Sequence, residues 1–332
     1  MRLAGARTPL VAVLLLAAIL AGIASLSVGP ARIGAGAMAD AVLGRGDPLI
    51  RDILFQLRLP RVVLGLAVGG MLGLAGAALQ GYLRNPLAEP SVLGASNGAA
   101  LGAVVALYFG LAELNPAMLP VLAILGALAA LGLLFLLAGR AESPLTLILA
   151  GIAVATLAGA GISLALNLSA NPFAATEIAT WLLGSLEDRS FRHVWLALPC
   201  IVTGMVLLAW DGRALDALTL GEDGATALGV DLKRTRLRLL IGVAIGVGGA
   251  VAVSGAIGFV GLIVPHLIRP FTDRSPSAIL LPSALAGAAL LTLADVAVRL
   301  LPTSTELRLG VVTAFLGVPV FIVHLLRERR IW

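Results

Sequence analysis

Hydrophobic residues along this chain fall into long runs separated by short polar breaks. There are ten runs, at about 9–29, 60–82, 92–111, 117–138, 144–168, 193–210, 237–256, 258–268, 277–300 and 309–326. Most are close to the roughly 20 residues that an α-helix needs to cross a hydrocarbon core. A transmembrane barrel would show ten-residue alternation, and a soluble core of this size would need a polar rind. Neither is present, so the pattern predicts an all-α polytopic membrane protein. The eighth run is too short to cross alone. It follows Gly255 and Gly258 and is expected as a half-helix that folds back after the seventh, its backbone covered by neighbouring helices. Arg2 and Arg7 precede the first run in the manner of a signal peptide. Its length and the lack of a small-x-small cleavage pattern favour a retained helix.

Composition agrees: of 332 residues 59% are hydrophobic and 12% charged, with a mean hydropathy of +1.04. The single Cys200 excludes an internal disulfide and a cysteine-based metal site. His193, His266 and His324 are far apart and form no ligand-spaced cluster, so no bound metal is expected. With the N-terminus inside, the inner segments hold 14 of the 23 Lys and Arg residues, most densely over Lys233–Arg238 and at Arg327, Arg329 and Arg330. Both termini are therefore expected in the cytoplasm. The net charge of +5 follows from this topology and calls for no nucleic acid.

The longest polar break of the second half, 211–238, then faces the cytoplasm and is patterned as two short helices around Gly221. Leu215, Leu218, Leu220, Ala225 and Leu228 would form an apolar face, with Asp216, Glu222 and Asp223 on its rim. The segment reads as a docking surface or, more plainly, as a loop lying on the membrane. Sliding the sequence by 177 positions brings Arg61, Gly65, Ala67, Gly69, Ala75 and Gly81 onto Arg238, Gly242, Ala244, Gly246, Ala252 and Gly258. That equates the second run with the seventh, and an odd number of crossings between them makes the repeat inverted, as in transporters. An ion-coupled transporter carries ionisable residues at mid-membrane. Here the runs hold almost none: Asp295 and Arg299 lie towards an outer end, His266 near an inner one. No GxxxxGK[ST] motif is present, so a transporter of this kind needs an external motor.

Several stretches carry a family resemblance: LRLPR at 57–61, NPLAEP and VLGASNGA within 85–99, DALTLGEDGATALGV at 216–230, GAIGFVGLIVPHLIR at 255–269 and ELRLGVVTAFLGVPVFI at 306–322. In content and order they resemble the permease family of type II ABC importers, which take up ferric siderophores, haem and vitamin B12. The resemblance covers essentially the whole chain. It implies a single permease domain over 1–332, with ten transmembrane helices in two inverted five-helix repeats and a coupling segment at about 211–236. It also implies a homodimer in the bacterial inner membrane, two copies of a cytoplasmic ABC ATPase that binds ATP and Mg, and a periplasmic substrate-binding protein. This chain would bind no cofactor and catalyse nothing.

The resemblance also implies roles for individual residues. Leu215, Leu218, Gly221, Glu222, Ala225, Leu228 and Gly229 match the ATPase-coupling helices. Asn85, Leu87, Ser143 and Pro144 match the cytoplasmic gate, where Pro144 departs from the hydroxyl of a relative. Arg58, Arg61 and Arg299 match basic positions that dock acidic residues of the binding protein, with phosphate snorkelling as the plainer reading. The translocation path, lined by helices five and ten, would here offer Thr156, Ser163, Asn167 and Thr313, unless these hydroxyls only bond their own backbone. Ferric siderophore or haem is the expected cargo and cobalamin the close competitor. The readings from other classes are an ion-coupled secondary carrier and a membrane scaffold.

Overall fold

A computed structural model describes residues 4–138, 144–169, 172–301 and 306–328. All regular structure among them is helical. Ten apolar helices run in chain order: α1 (Ala4–Ser27), α2 (Leu59–Leu83), α3 (Ala95–Tyr108), α4 (Met118–Ala138), α5 (Pro144–Asn167), α6 (Phe191–Trp210), α7 (Leu232–Ser254), α8 (Val260–Ile268), α9 (Pro276–Leu300) and α10 (Leu309–Glu328). Seven are long and apolar enough to cross a membrane, and α3, α8 and the Leu309–Val320 part of α10 are shorter apolar helices. The end carrying residues 211–231 is called inner below, and the opposite end outer.

The run at 92–111 becomes a helix of only 14 residues, about 21 Å long at 1.5 Å per residue and too short to cross. Its first residues instead complete a loop that turns back into the bundle and ends at Gly94, whose φ of +78° glycine adopts without steric cost. The eighth run forms the expected half-helix, 9 residues long, after Gly255 (φ +69°) and Phe259 (φ +67°).

Packing repeats with a period of five helices. The α2–α9 contact is matched by α7–α4, α2–α8 by α7–α3, α3–α5 by α8–α10, and α1–α2 by α6–α7. In lipid no hydrophobic effect drives helices together, so close backbone approach at small residues holds them. A Cβ placed on Gly76 would collide with the carbonyl of Gly261 on α8, and one on Gly69 with that of Gly287 on α9. α1 packs along α9, and α5 and α10 each leave an apolar face open.

Candidate functional site

At the inner end, α6 stops at Trp210 and two short helices follow, Gly212–Leu218 and Glu222–Ala227. Gly221 (φ +92°) and Gly229 (φ +85°) make the turns around the second. Two carboxylates fasten this hairpin to the bundle. Asp211 accepts from Arg238 Nε at 3.0 Å and Nη2 at 2.5 Å, which ties the segment to α7. Asp216 accepts from the Ser277 amide at 2.8 Å and its hydroxyl at 2.6 Å, which ties it to the start of α9.

The expected apolar docking face is corrected by this geometry. Leu215, Leu218 and Ala225 are buried within the chain and anchor the hairpin. Only Leu220 and Leu228, 69% and 65% exposed, are left to meet a partner. Gly229 is exposed and Gly221 half-buried. Glu222 turns towards Tyr82, Leu147, Lys233 and Arg236 around a small cavity. The 3.6-residue periodicity identified the face, but which way it points depends on Asp211 and Asp216, whose partners lie 27 and 61 positions away.

The expected gate lies beside this hairpin. α2 ends at Arg84, in a left-handed conformation (φ +49°), and Asn85 Oδ1 accepts from the Leu87 amide at 2.9 Å, forming an Asx turn. Leu87 is exposed at the tip. Pro144 opens α5, whose Leu147 faces Tyr82 across the small cavity, while Ser143 lies outside the described residues. Beyond the turn, Glu89 bonds Ser91, and burial pushes its carboxyl above the ordinary carboxylate range.

Gln80, which the sequence did not single out, staples three elements. Its amide donates to the Gly261 and Leu262 carbonyls at 3.3 and 3.1 Å, and its oxygen accepts from Arg269 at 3.1 Å. A lone amide in an otherwise apolar helix was the available signal, since a buried amide needs partners.

Of the expected path residues, Thr156, Ser163 and Asn167 lie on the exposed face of α5. The Thr156 hydroxyl bonds the Ile152 carbonyl at 2.8 Å. Thr313 does not join them. It is buried inside the protomer with its hydroxyl on the Gly310 carbonyl at 3.0 Å, and the open side of α10 carries Phe315, Leu316 and Ile322 instead. Neither α5 nor residues 309–320 contain a charged side chain.

The three outer arginines do come together, but as sutures. Arg61 chelates Asp295 (Nε 3.0 Å, Nη2 2.9 Å) and reaches Glu306 at 2.7 Å. Arg299 pairs with Asp295 at 3.0 Å and donates to Ser25 O and Val28 O at 2.9 and 2.6 Å. Arg58 donates to Leu26 O and Ala31 O, both at 2.6 Å. A docking charge must reach its partner, and the side chains of Arg299 and Arg61 are 3% and 12% exposed. Arg58 and Arg299 thus clamp the end of α1 and the residues that follow it, and of the three Arg61 keeps an accessible edge. Among the described residues the exposed cations at this end are Arg32, Arg45, Arg51 and Arg192. His193 is engaged in capping α6, its Nδ1 accepting from the Ser190 amide at 3.1 Å.

Comparison with known proteins gives one consistent result. Residues 15–327 match the FecCD transport family. An uncharacterized ABC transporter permease protein of Bacillus subtilis, YvrB, is 43% identical over 87% of this chain and 82% of its own. The vitamin B12 import system permease protein BtuC of Vibrio cholerae is 41% identical over 84% of each chain. An inward-facing ABC transporter described as metal-chelate type superposes with a TM-score of 0.86 at 30% identity, over 96% of this chain and 99% of that one.

Proposed function

We propose, for a chain that belongs to the FecCD transport family of ABC importer permeases, that two copies form the path by which a bulky metal chelate, a ferric siderophore or haem, enters a bacterial cell. The uncharged open face of α5, with Thr156, Ser163 and Asn167 among exposed Leu and Ile residues, carries this reading. A neutral wall gives a large chelate nothing to bind tightly, so the chelate can be released. Two copies of a separate ATPase, loaded with ATP and Mg, would seat against Leu220, Leu228 and the Gly221 and Gly229 turns. Their closure would act on the gate at Asn85, Leu87, Ser143 and Pro144. A periplasmic binding protein would dock at the outer end, at the edge of Arg61 and the exposed Arg32, Arg45 and Arg51. Both termini are then cytoplasmic, in agreement with the excess of Lys and Arg at the inner end.

The vitamin B12 permeases among the relatives favour cobalamin as a second reading. Proteoliposomes holding this permease with the ATPase and binding protein of the same genome test both. Labelled ferric siderophore, haem and cobalamin are compared with and without internal ATP. ATP-dependent accumulation of one chelate supports the proposal and names the cargo. Accumulation driven by an ion gradient and indifferent to ATP would overturn it in favour of a secondary carrier.

A further inference from the structure

We propose that a basic cavity at the inner end of α2 binds the phosphate group of an anionic phospholipid. The cavity has a volume of about 280 Å³ and is lined by Gln80, Arg84, Asn85, Thr219, Arg269 and Arg274 among others. Three guanidiniums therefore converge from two stretches of chain, the end of α2 and the 269–275 turn. Arg84 and Arg274 are both held at positive φ (+49° and +63°), a conformation uncommon for residues other than glycine. Arg269 spends one nitrogen on Gln80, at 3.1 Å, while its Nε is buried with no hydrogen-bond partner among the described residues. Arg84 and Arg274 are exposed and Arg269 is half-buried; three like charges around one cavity favour an anion among them, and the planar guanidinium fork suits a phosphate.

The chain offers that anion little of its own. No Asp or Glu is among the described lining residues. The nearest acids in sequence are engaged elsewhere, Asp216 with Ser277 and Asp273 with Ser275. A second feature favours lipid over free phosphate. A mainly apolar crevice of about 410 Å³, lined by Leu10, Val11, Phe271, Leu281 and Pro282, with Thr272, Asp273 and Ser277 on its polar side, lies between α1 and α9 along the same 269–277 stretch. It offers an acyl chain a berth near the headgroup, and basic pockets between membrane helices are known sites for anionic headgroups. An occupant would bridge the end of α2, the Asn85 turn and Thr219 of the hairpin.

The inference goes beyond the transport reading, and its test measures binding by the full-length permease without requiring uptake. Delipidated permease is titrated with phosphatidylglycerol, phosphatidylcholine or inorganic phosphate, with retention read by native mass spectrometry and Tm by fluorescence. Phosphatidylglycerol should be retained and raise Tm where phosphatidylcholine does not. Arg269→Gln with Arg274→Gln, and separately the exposed Arg84→Gln, should weaken retention roughly tenfold or more. Arg45→Gln with Arg51→Gln at the outer end should leave it unchanged. Equal stabilisation by inorganic phosphate overturns the lipid source and leaves a free-anion site. Equal retention of the two lipids, or full retention by the variants, overturns the site. Loss of the bound lipid when the ATPase is added, with a carboxylate of the ATPase crosslinking to the cavity, assigns the arginines to that partner and also overturns it.

Discussion

Replacing Asp295 by Ala is the sharpest perturbation of this fold. Its carboxylate, 3% exposed, is shared by Arg61 at 2.9 Å and Arg299 at 3.0 Å. Removing it leaves Arg299, itself 3% exposed, with carbonyl and hydroxyl partners but, among the described residues, no carboxylate in direct contact. Arg61 keeps Glu306. Losing one member of a buried pair costs about 3–5 kcal/mol, most of it the stranded charge. At about 2 °C per kcal/mol that is a fall in Tm of roughly 6–10 °C, read by fluorescence-detected size exclusion of the detergent-solubilised protein. Because the damage comes from an unpaired cation, Asp295→Leu combined with Arg299→Met should recover most of the loss. A fall of less than about 1 °C in the single variant, or a double variant no better than the single, would refute the view that charge burial sets the cost.

Three further outcomes follow from the geometry. Gly76→Ala would drive a methyl group into the Gly261 carbonyl, while Gly132 on α4 has open space around it; the first should lose about 1–3 kcal/mol and the second should be neutral or slightly stabilised, as thermal melts in detergent will show. Leu215→Ala should destabilise the permease by about 2–5 kcal/mol because the side chain is fully buried. Exposed Leu220→Glu should leave Tm unchanged yet abolish co-purification with the ATPase; the reverse assignment would show that the hairpin is oriented the other way. Glu89 has a folded-state pKa above its unfolded value, so stability present at low pH is lost as the pH climbs from the ordinary carboxylate value towards the raised one. Wild type should therefore lose Tm relative to Glu89→Gln from about pH 4 upward, and parallel pH profiles would contradict this.

The sequence made legible whatever depends on long runs of one kind of residue. Each apolar run holds a helix, seven of them long enough to cross a membrane, and the half-helix after Gly255 came out as expected from its length. The 177-residue offset identified pairs of helices that the packing treats alike. What could not be read was direction. Leu215 and Leu220 look equivalent in sequence, yet one is buried and the other 69% exposed, because Asp216 is held by Ser277 on another helix. Arg58 and Arg299 look like free cations until the end of α1 and the residues just after it, Val28 and Ala31, supply carbonyls to them. Thr313 fails for a related reason, since a hydroxyl on a helix carries no mark of whether it faces a path or its own backbone.

The inverted repeat also relates two of the few arginines that pair with buried acids in a chain that otherwise avoids charge. Arg61 and Arg238 are equivalent under the 177-residue offset and lie at opposite ends of the molecule. Each pairs with an acid that is nearly inaccessible, Asp295 on α9 and Asp211 just after α6, although the offset does not relate the two acids, whose counterparts in the first repeat are Met118 and Gly34. Each acid sits where a polar segment leaves the bundle. Asp295, through Arg299, pins Ser25 and Val28 at the start of the 28–58 segment, and Asp211 begins the 211–231 hairpin. An exposed ion pair would contribute about 0–1 kcal/mol and could slip, whereas a buried one resists separation by several kcal/mol. The buried Asp295 cluster therefore fixes the register of the 28–58 segment, while Arg238, 39% exposed, ties the hairpin to α7 more weakly.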